Sequence, residues 1–410
     1  MTRRIAWVSL VVVAVATAAI VVVTIGGGQA SPIKIGVLYN SSGGMKWLDR
    51  PGLEGFRLAA DQINAQGGVV GRQVEVVEMD GTTDTTEMTR LATRLVSRDD
   101  ISAIAGVNEP LHAISPIRGA LRRADGGLIT FEHSEMALAV GEVTEAAEIP
   151  FVTAGSTLST LPGLIGDDVF MVAATHDAQV AAAARYARDE LGARRAWILV
   201  DEGHDFATSL AASFETHWQE RGGEVVGTDS YPPGELDISA QIEGLQGLAL
   251  QPEVILIASL QNEGGYLVKQ LREAGVSQPI LFADVVDPRY IVAMGGNLSD
   301  VFMATQGSLR TENEAVAEFI GAYQAKYQHA PESTTAMLGY DTMRLIADAI
   351  QRAGSPEPGR LSESLAETVD FAALTGNLSY PDPSHVPVKT VTILTYRDAT
   401  PTVAAEIAPS

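Results

Sequence analysis

Polar side chains that can hold a charged small molecule stand where predicted strands end and where a predicted helix begins. Ser134 precedes an apolar helical run, so its hydroxyl and the first free backbone N–H groups could hold a carboxylate. Asp284 directly follows one predicted strand, and Ser156 and Thr157 follow another. Taken alone, a helix cap is the simpler interpretation of Ser134, and a turn is the simpler interpretation of Thr157.

Catalytic and metal chemistry find little support in the 410-residue chain. Its seven histidines are scattered rather than set at metal-ligand spacing. Serine, histidine and aspartate are all present, but no G-x-S-x-G, H-E-x-x-H or G-x-x-x-x-G-K-S/T motif occurs. We therefore expect a protein that is not an enzyme, with no catalytic residues, no metal and no cofactor.

The segment Ile33–Asp84 contains a complete βαβ unit. Ile33–Leu38 is a short apolar run rich in β-branched residues, which is typical of a strand buried on both faces of a parallel sheet. A Ser/Gly-rich loop follows, and a second strand is predicted at Val74–Met79. Between them, one apolar stripe predicts a helix through Leu53, Phe56, Ala60 and Ile63. The loop lies at the carboxyl end of the first strand, where open α/β sheets bind their ligands.

This segment resembles the start of the branched-chain amino-acid-binding proteins, a family of type I periplasmic solute-binding proteins that serve ABC importers. The shared stretches are IKIGV at 33–37, DQINAQGG at 61–68 and VVGRQVEVVEMDG at 69–81, in the family's order and without gaps. The resemblance implies an α/β fold of two Rossmann-like lobes joined by three crossing segments.

The rest of the chain is compatible with that fold, because helices and strands alternate past Asp84 and a second α/β set begins near Val180. Candidates for the crossing segments are Met171–Ala174, Ala304–Gly307 and Ala372–Gly376. We therefore expect lobe 1 to comprise residues 31–172 and 306–372, and lobe 2 to comprise residues 173–305 and 373–405.

The resemblance also implies roles for site residues. The stretch 131–157 resembles the family's serine loop and its Gly-Ala-Thr turn, which points to Ser134, Ser156 and Thr157 as partners of a ligand carboxylate. Asp284 stands where amino-acid-binding relatives place the carboxylate that pairs with the ligand ammonium group. Further candidates for the wall of the site are Phe206, Gln261 and Trp47.

Two departures from the family pattern bear on the ligand. Phe206 stands where many relatives have a tyrosine, so the ring is kept and a hydroxyl hydrogen bond is lost. In the family, one strand runs almost directly into the serine loop. Here roughly one extra helix and strand separate the predicted strand Ile101–Val107 from Ser134, and the predicted strand Leu128–Phe131 lies in this insertion. In that insertion, Asn108–His112 could replace Ser134 as the ligand contact.

The amino terminus predicts export. Arg3 and Arg4 precede an uncharged stretch from Ile5 to Ile25, so residues 1–30 are a signal peptide or, if uncleaved, a membrane anchor. Because the chain has no cysteine, it carries neither a disulfide nor the lipid-accepting cysteine of many solute-binding proteins. A net charge of −23 repels polyanions, so it argues against nucleic acid as a partner and favours solubility.

These features together predict an extracytoplasmic binding protein of an ABC importer. Its partners would be an amino acid or similar small polar ligand and a membrane permease, and we expect a monomer. A ligand sensor that works with a separate receptor remains the alternative, because the amino-acid sequence does not separate transport from sensing. The identity of the ligand also stays open.

Overall fold

The computed structural model describes residues 30–107, 119–122, 128–131, 135–232, 236–259, 261–283, 289–293, 296–310 and 312–409. The helices are α1 (Lys46–Ala65), α2 (Thr85–Val96), α3 (Glu135–Glu145), α4 (Leu161–Ile165), α5 (His176–Asp189), α6 (Asp205–Glu220), α7 (Ser239–Gln246), α8 (Gln261–Glu273), α9 (Arg289–Ala293), α10 (Glu314–Tyr327), α11 (Thr335–Ala353) and α12 (Pro358–Ala366). The strands are β1 (Ile33–Tyr39), β2 (Val74–Asp80), β3 (Ile101–Gly106), β4 (Gly119–Arg122), β5 (Leu128–Phe131), β6 (Phe151–Thr153), β7 (Val169–Met171), β8 (Arg195–Asp201), β9 (Glu224–Tyr231), β10 (Val254–Ala258), β11 (Ile280–Phe282), β12 (Val301–Thr305), β13 (Leu378–Ser379), β14 (Val388–Lys389), β15 (Val391–Arg397) and β16 (Thr400–Ile407).

Two sheets form the centres of two lobes. The first has the order β2-β1-β3-β6-β7, and all its neighbours are parallel. The second has the order β16-β15-β12-β11-β10-β8-β9, and its five parallel strands, β8 to β12, follow the same connection pattern as the first sheet. The antiparallel strands β15 and β16 extend it beyond β12. The prediction of an α/β fold with two Rossmann-like lobes is thus confirmed, and each sheet has a carboxyl edge at which a ligand can bind.

Helices α1 and α11 pack backbone against backbone on the first sheet, and glycines make this contact possible. A Cβ atom at Gly55 would lie 1.9 Å from the carbonyl oxygen of Ala336, and one at Gly339 would lie 1.9 Å from that of Gly52. No side chain fits in that space. The close contact brings the first turn of α1 to the amino end of α11, where the Thr335 hydroxyl donates to the carbonyl oxygen of Leu48 over 2.9 Å.

The insertion after β3 contains a hairpin rather than a strand of the main sheet. Strand β5 was expected from the sequence, but it pairs antiparallel with β4 in a separate two-stranded sheet. Strand β3 pairs instead with β6, so the first sheet keeps its order across the insertion.

The third crossing between the lobes was expected at Ala372–Gly376, but the chain crosses further along. Leu378 and Tyr380 are still buried in the core of the first lobe, whereas Val391 belongs to the core of the second. The passage between the sheets therefore lies close to Lys389. Within the described residues, no helix has both the length and the apolar character needed to cross a membrane.

Candidate functional site

The polar turn after β6 lies where the first lobe meets the second. Ser156 is fully buried, and its hydroxyl oxygen lies 2.9 Å from that of Thr153. The carbonyl oxygen of Thr157 accepts a hydrogen bond of 3.0 Å from the backbone N–H of His176, the first residue of α5. Leu158 packs against the cores of both lobes. Ser156 and Thr157 are therefore at the carboxyl edge of the first sheet and next to the second lobe.

The loop after β1 is held by a buried carboxylate that sequence reasoning missed. Asp49 accepts hydrogen bonds from the backbone N–H of Asn40 at 2.8 Å and from its side-chain amide at 2.6 Å. The side-chain oxygen of Asn40 in turn accepts from the backbone N–H of Thr83 at 2.8 Å. Trp47 is half-buried and packs on the core beside this loop. The loop is thus a fixed part of the first lobe's carboxyl edge.

Tyr39 ends β1 at the same edge. Its side chain is fully buried, and within the described residues its hydroxyl has no hydrogen-bond partner. Burial, aided by the negative charge of Asp49, holds the pKa of the Tyr39 hydroxyl well above its usual value. The group therefore stays neutral and remains a hydrogen-bond donor at physiological pH.

The carboxyl edge of the second sheet carries two polar pairs. Asp201, the last residue of β8, is fully buried and accepts hydrogen bonds from the backbone N–H of Gly203 at 2.9 Å and from Nδ1 of His204 at 2.5 Å. Tyr231, the last residue of β9, donates its hydroxyl to Glu263 in the first turn of α8 over 2.8 Å. This edge therefore presents acidic groups, which suits a ligand with a positively charged group.

Burial also changes how these groups titrate. It raises the pKa of the Glu263 carboxyl, and the neighbouring charge of Asp201 acts in the same direction. The pKa of the Tyr231 hydroxyl is raised by burial and by the adjacent Glu263. Tyr231 is therefore neutral and donates its hydroxyl hydrogen to Glu263.

Phe206 lies in the core of the second lobe. Its side chain is 2 % exposed and belongs to the hydrophobic cluster on the α5 and α6 face of the sheet. A ring in this position packs helix α6 onto the sheet. Contact between Phe206 and a ligand stays a prediction.

Three of the predicted positions have no described side chain. Ser134 and Asp284 lie outside the described residues, as does the alternative contact Asn108–His112. Gln261 is the first residue of α8, directly after the loop at the carboxyl end of β10, but its side chain is also outside the described part of the structure. The ligand roles of these residues stay predictions.

A cavity of about 530 Å³ lies between the lobes. Leu309, Ile320 and Pro331 line it from the first lobe, and Val292 and Leu394 line it from the second. Its volume is in the range of small-molecule sites. None of the polar groups described above at the two sheet edges lines this cavity. Among the described residues, no group of three or more histidine, aspartate or glutamate side chains is arranged to hold a metal ion.

Three of the residues that sequence reasoning missed share one signal. Asp201 and Tyr231 end their strands, as Tyr39 does, and a polar residue at the carboxyl end of a buried parallel strand is the pattern that singled out Asp284. Applied to every strand, the same criterion would have found them. Asp49 lacks this signal, because it lies inside a helix and only the tertiary structure brings it to Asn40.

Comparison with known proteins gives consistent results. The family model described as "Periplasmic binding protein" matches residues 32–124 and 117–401. A Leu/Ile/Val-binding protein homolog 7 from Brucella suis is 25% identical over 368 residues, which are 84% of this chain and 83% of that protein.

Solved structures with the same fold include the substrate-binding protein of a branched-chain amino-acid transporter and a leucine-binding protein. The substrate-binding protein LivJ from Streptococcus pneumoniae, solved in complex with isoleucine, is 27% identical with a TM-score of 0.70, and the match covers 92% of this chain and 99% of that one. A leucine-binding protein LivK from Thermotoga maritima is 25% identical with a TM-score of 0.70 and the same coverage.

Proposed function

The chain belongs to the periplasmic binding protein family, and from this premise we propose that it is the extracytoplasmic substrate-binding protein of an ABC importer for an amino acid or a close relative. The observation that carries the proposal is the pair of lobes with polar carboxyl edges, within a family match that spans most of the chain. The match to LivJ, solved with isoleucine, supports an amino-acid ligand.

An α-amino acid suits the two edges because it carries opposite charges on one carbon. The first lobe offers the buried hydroxyl groups of Ser156 and Thr157, to which the prediction adds Ser134. The second offers the acidic edge of Asp201 and Glu263, to which the prediction adds Asp284. A ligand carboxylate bound by the first lobe and a ligand ammonium bound by the second would connect the lobes and favour closure.

The rest of the wall of the site selects the side chain of the ligand. Trp47 and Gln261 are retained as wall candidates, and Phe206 reaches the ligand only if its ring forms the floor of the site. The chain lacks the tyrosine hydroxyl of many relatives at Phe206. We therefore propose an amino acid without restricting it to leucine, isoleucine or valine.

The same proposal implies that the protein is exported and that its partner is a membrane permease. Arg3 and Arg4, followed by the uncharged Ile5–Ile25, would carry the protein out of the cytoplasm as a signal peptide or anchor. Closure around the ligand would form the surface that a membrane permease recognises. The secreted part would be a monomer without a cofactor.

A thermal-shift screen tests the ligand class. The fragment from about Ser31 is heated with amino acids, amides, short carboxylates and urea. A ligand at a hundredfold excess over its Kd should stabilise the fragment by about 2.7 kcal/mol, which gives a clear rise in Tm. Stabilisation by amines or carboxylates alone, with no amino acid active, would contradict the proposal.

The substitution Asp284→Asn tests the ammonium contact. It keeps the shape of the side chain and removes its charge, and the loss of a charge-assisted contact in a closed cleft costs on the order of 2–5 kcal/mol. We expect calorimetric titration to show at least tenfold weaker binding and an unchanged Tm without ligand. The matched control is Asp189→Asn, at an exposed site in the last turn of α5 on the same lobe. Equal affinity of both variants and wild type would remove Asp284 from the site.

A further inference from the structure

Within the part of the chain that the structure describes, the backbone passes between the two lobes three times, and the three passages lie side by side. The first follows β7 and includes Val172 and Ala174, and the second begins at Gln306 directly after β12. The third lies at Lys389, between the last residues in the first-lobe core and Val391 in the second. Any rotation of one lobe against the other must bend all three passages.

Gln306 ties the first passage to the second. Its side-chain oxygen accepts the backbone N–H of Ala174 at 2.8 Å, and its side-chain nitrogen donates to the carbonyl oxygen of the same residue at 2.8 Å. The side chain is buried. These two hydrogen bonds resemble those between paired strands, although here a side-chain amide, and not the backbone of the second passage, makes them. The two passages therefore move together as long as the amide is in place.

Lys389 ties the first passage to the third. Its ammonium group donates to the carbonyl oxygen of Val172 over 2.9 Å and to the hydroxyl of Thr375. Thr375 is itself held by Asp341 of α11, which accepts its backbone N–H at 3.0 Å and its hydroxyl at 2.7 Å. The lysine is only 2 % exposed, and Asp341 is fully buried.

Burial of a lysine ammonium group costs free energy unless the group donates hydrogen bonds. Burial lowers the pKa of Lys389 to about 8, against the opposing effect of the charge on Asp341. The group is therefore mainly charged at pH 7 and needs acceptors for its protons. Val172 and Thr375 supply them only when the passages keep their present alignment.

A cavity and two glycines with positive φ lie near the hydrogen bonds of Gln306 and Lys389. A cavity of about 260 Å³ separates parts of the second and third passages and is lined by residues of both, including Ser308 and Thr390. Gly307 has a φ of +149° and Gly376 a φ of +101°, conformations that favour glycine. The ties at Gln306 and Lys389 are thus flanked by residues with the freedom to absorb a rotation.

We propose that Gln306 and Lys389 are positioning residues for ligand binding, because they join the three passages into one unit about which the lobes close. This inference rests on the proposed function, since it presumes that the lobes close on a ligand. With the ties in place, the free protein samples a narrow range of lobe orientations. Without them the passages bend independently, and ligand binding must order them, which weakens affinity.

The test uses Gln306→Met and Lys389→Met, which keep an unbranched side chain and remove the hydrogen bonds. The control is Lys269→Met, at an exposed position in α8. Since the chain has no cysteine, Thr86→Cys on α2 and Gln219→Cys on α6 provide one label on each lobe. The readouts are the distribution of inter-label distances and the Kd of the best amino acid from the screen.

We expect each methionine variant to broaden the distance distribution of the free protein and to raise Kd at least fivefold, while Lys269→Met changes neither. If Lys389→Met fails to fold, Gln306→Met carries the test. A variant that only lowers Tm, with an unchanged distance distribution and Kd, would overturn the inference. Failure of the wild type itself to bind or to close would instead contradict the proposed function.

Discussion

At the scale of single residues, the carboxyl edge of the first sheet contains an unusual group. The Tyr39 hydroxyl is fully buried without a hydrogen-bond partner among the described residues. A buried hydroxyl left unpaired costs about 1–3 kcal/mol relative to one in water. Tyr380 offers a direct comparison, because its buried hydroxyl donates to the carbonyl oxygen of Met171 over 2.8 Å.

The pair Tyr39→Phe and Tyr380→Phe tests this difference. Removing the unpaired hydroxyl of Tyr39 should raise the free energy of unfolding by about 1 kcal/mol, because a desolvation cost is relieved and no bond is lost. Removing the paired hydroxyl of Tyr380 should lower it by a similar amount. Urea denaturation of the ligand-free protein measures both. An equal loss in the two variants would mean that Tyr39 is hydrogen-bonded in solution.

At the scale of elements, the contact between α1 and α11 determines how the loop after β1 is positioned. The two helices touch where Gly55 meets Ala336 and where Gly339 meets Gly52, and a Cβ atom at Gly55 or Gly339 would overlap a backbone carbonyl. Asp49 lies one turn before this contact and anchors Asn40 in the loop. Separation of the helices would therefore move the first lobe's edge as well as weaken its core.

The substitution Gly55→Ala should separate these helices. The added methyl group has no space, so we expect a loss of about 1–3 kcal/mol in the free energy of unfolding and a weaker ligand affinity. Gly321→Ala in α10 is the control, since a Cβ atom there meets nothing within 4 Å. That change should stabilise the protein by about 0.4–1 kcal/mol. Similar effects of the two substitutions, measured by urea denaturation, would show that the helix contact is looser than described.

At the scale of the whole molecule, the two lobes have separate cores. Each lobe buries its own hydrophobic clusters on both faces of its sheet, and the passages between the lobes are few. A cavity of about 530 Å³ remains between the lobes. Movement of the lobes thus leaves each core intact and changes mainly the space between them.

Small-angle scattering of the wild-type fragment tests this movement. We expect the radius of gyration to decrease when a saturating amino-acid ligand is added, because the ligand bonds to both edges and favours the closed arrangement. The same measurement with an amino acid that gave no thermal shift is the control. Superimposable profiles with and without the bound ligand would contradict closure.

Much of the fold follows from local pattern. Apolar runs such as Ile33–Leu38 and Val254–Ala258 predicted strands within about a residue of those observed, since a strand buried on both faces must be apolar throughout. The observed β16 was missed, because its alternating exposed residues at the edge of a sheet lack that continuous run. The hairpin partner of β5 was missed because pairing in an insertion depends on contacts that periodicity does not record.

The amino-acid sequence by itself determined the fold class, the family and the residue types at the sheet edges, because these depend on local periodicity and motif order. The tertiary structure decided which residues meet across long separations. It placed Phe206 in a core, located the third passage near Lys389 and joined Lys389 to Val172, which lies more than two hundred residues earlier. Such contacts come from the packing of distant elements, and no local pattern carries that information.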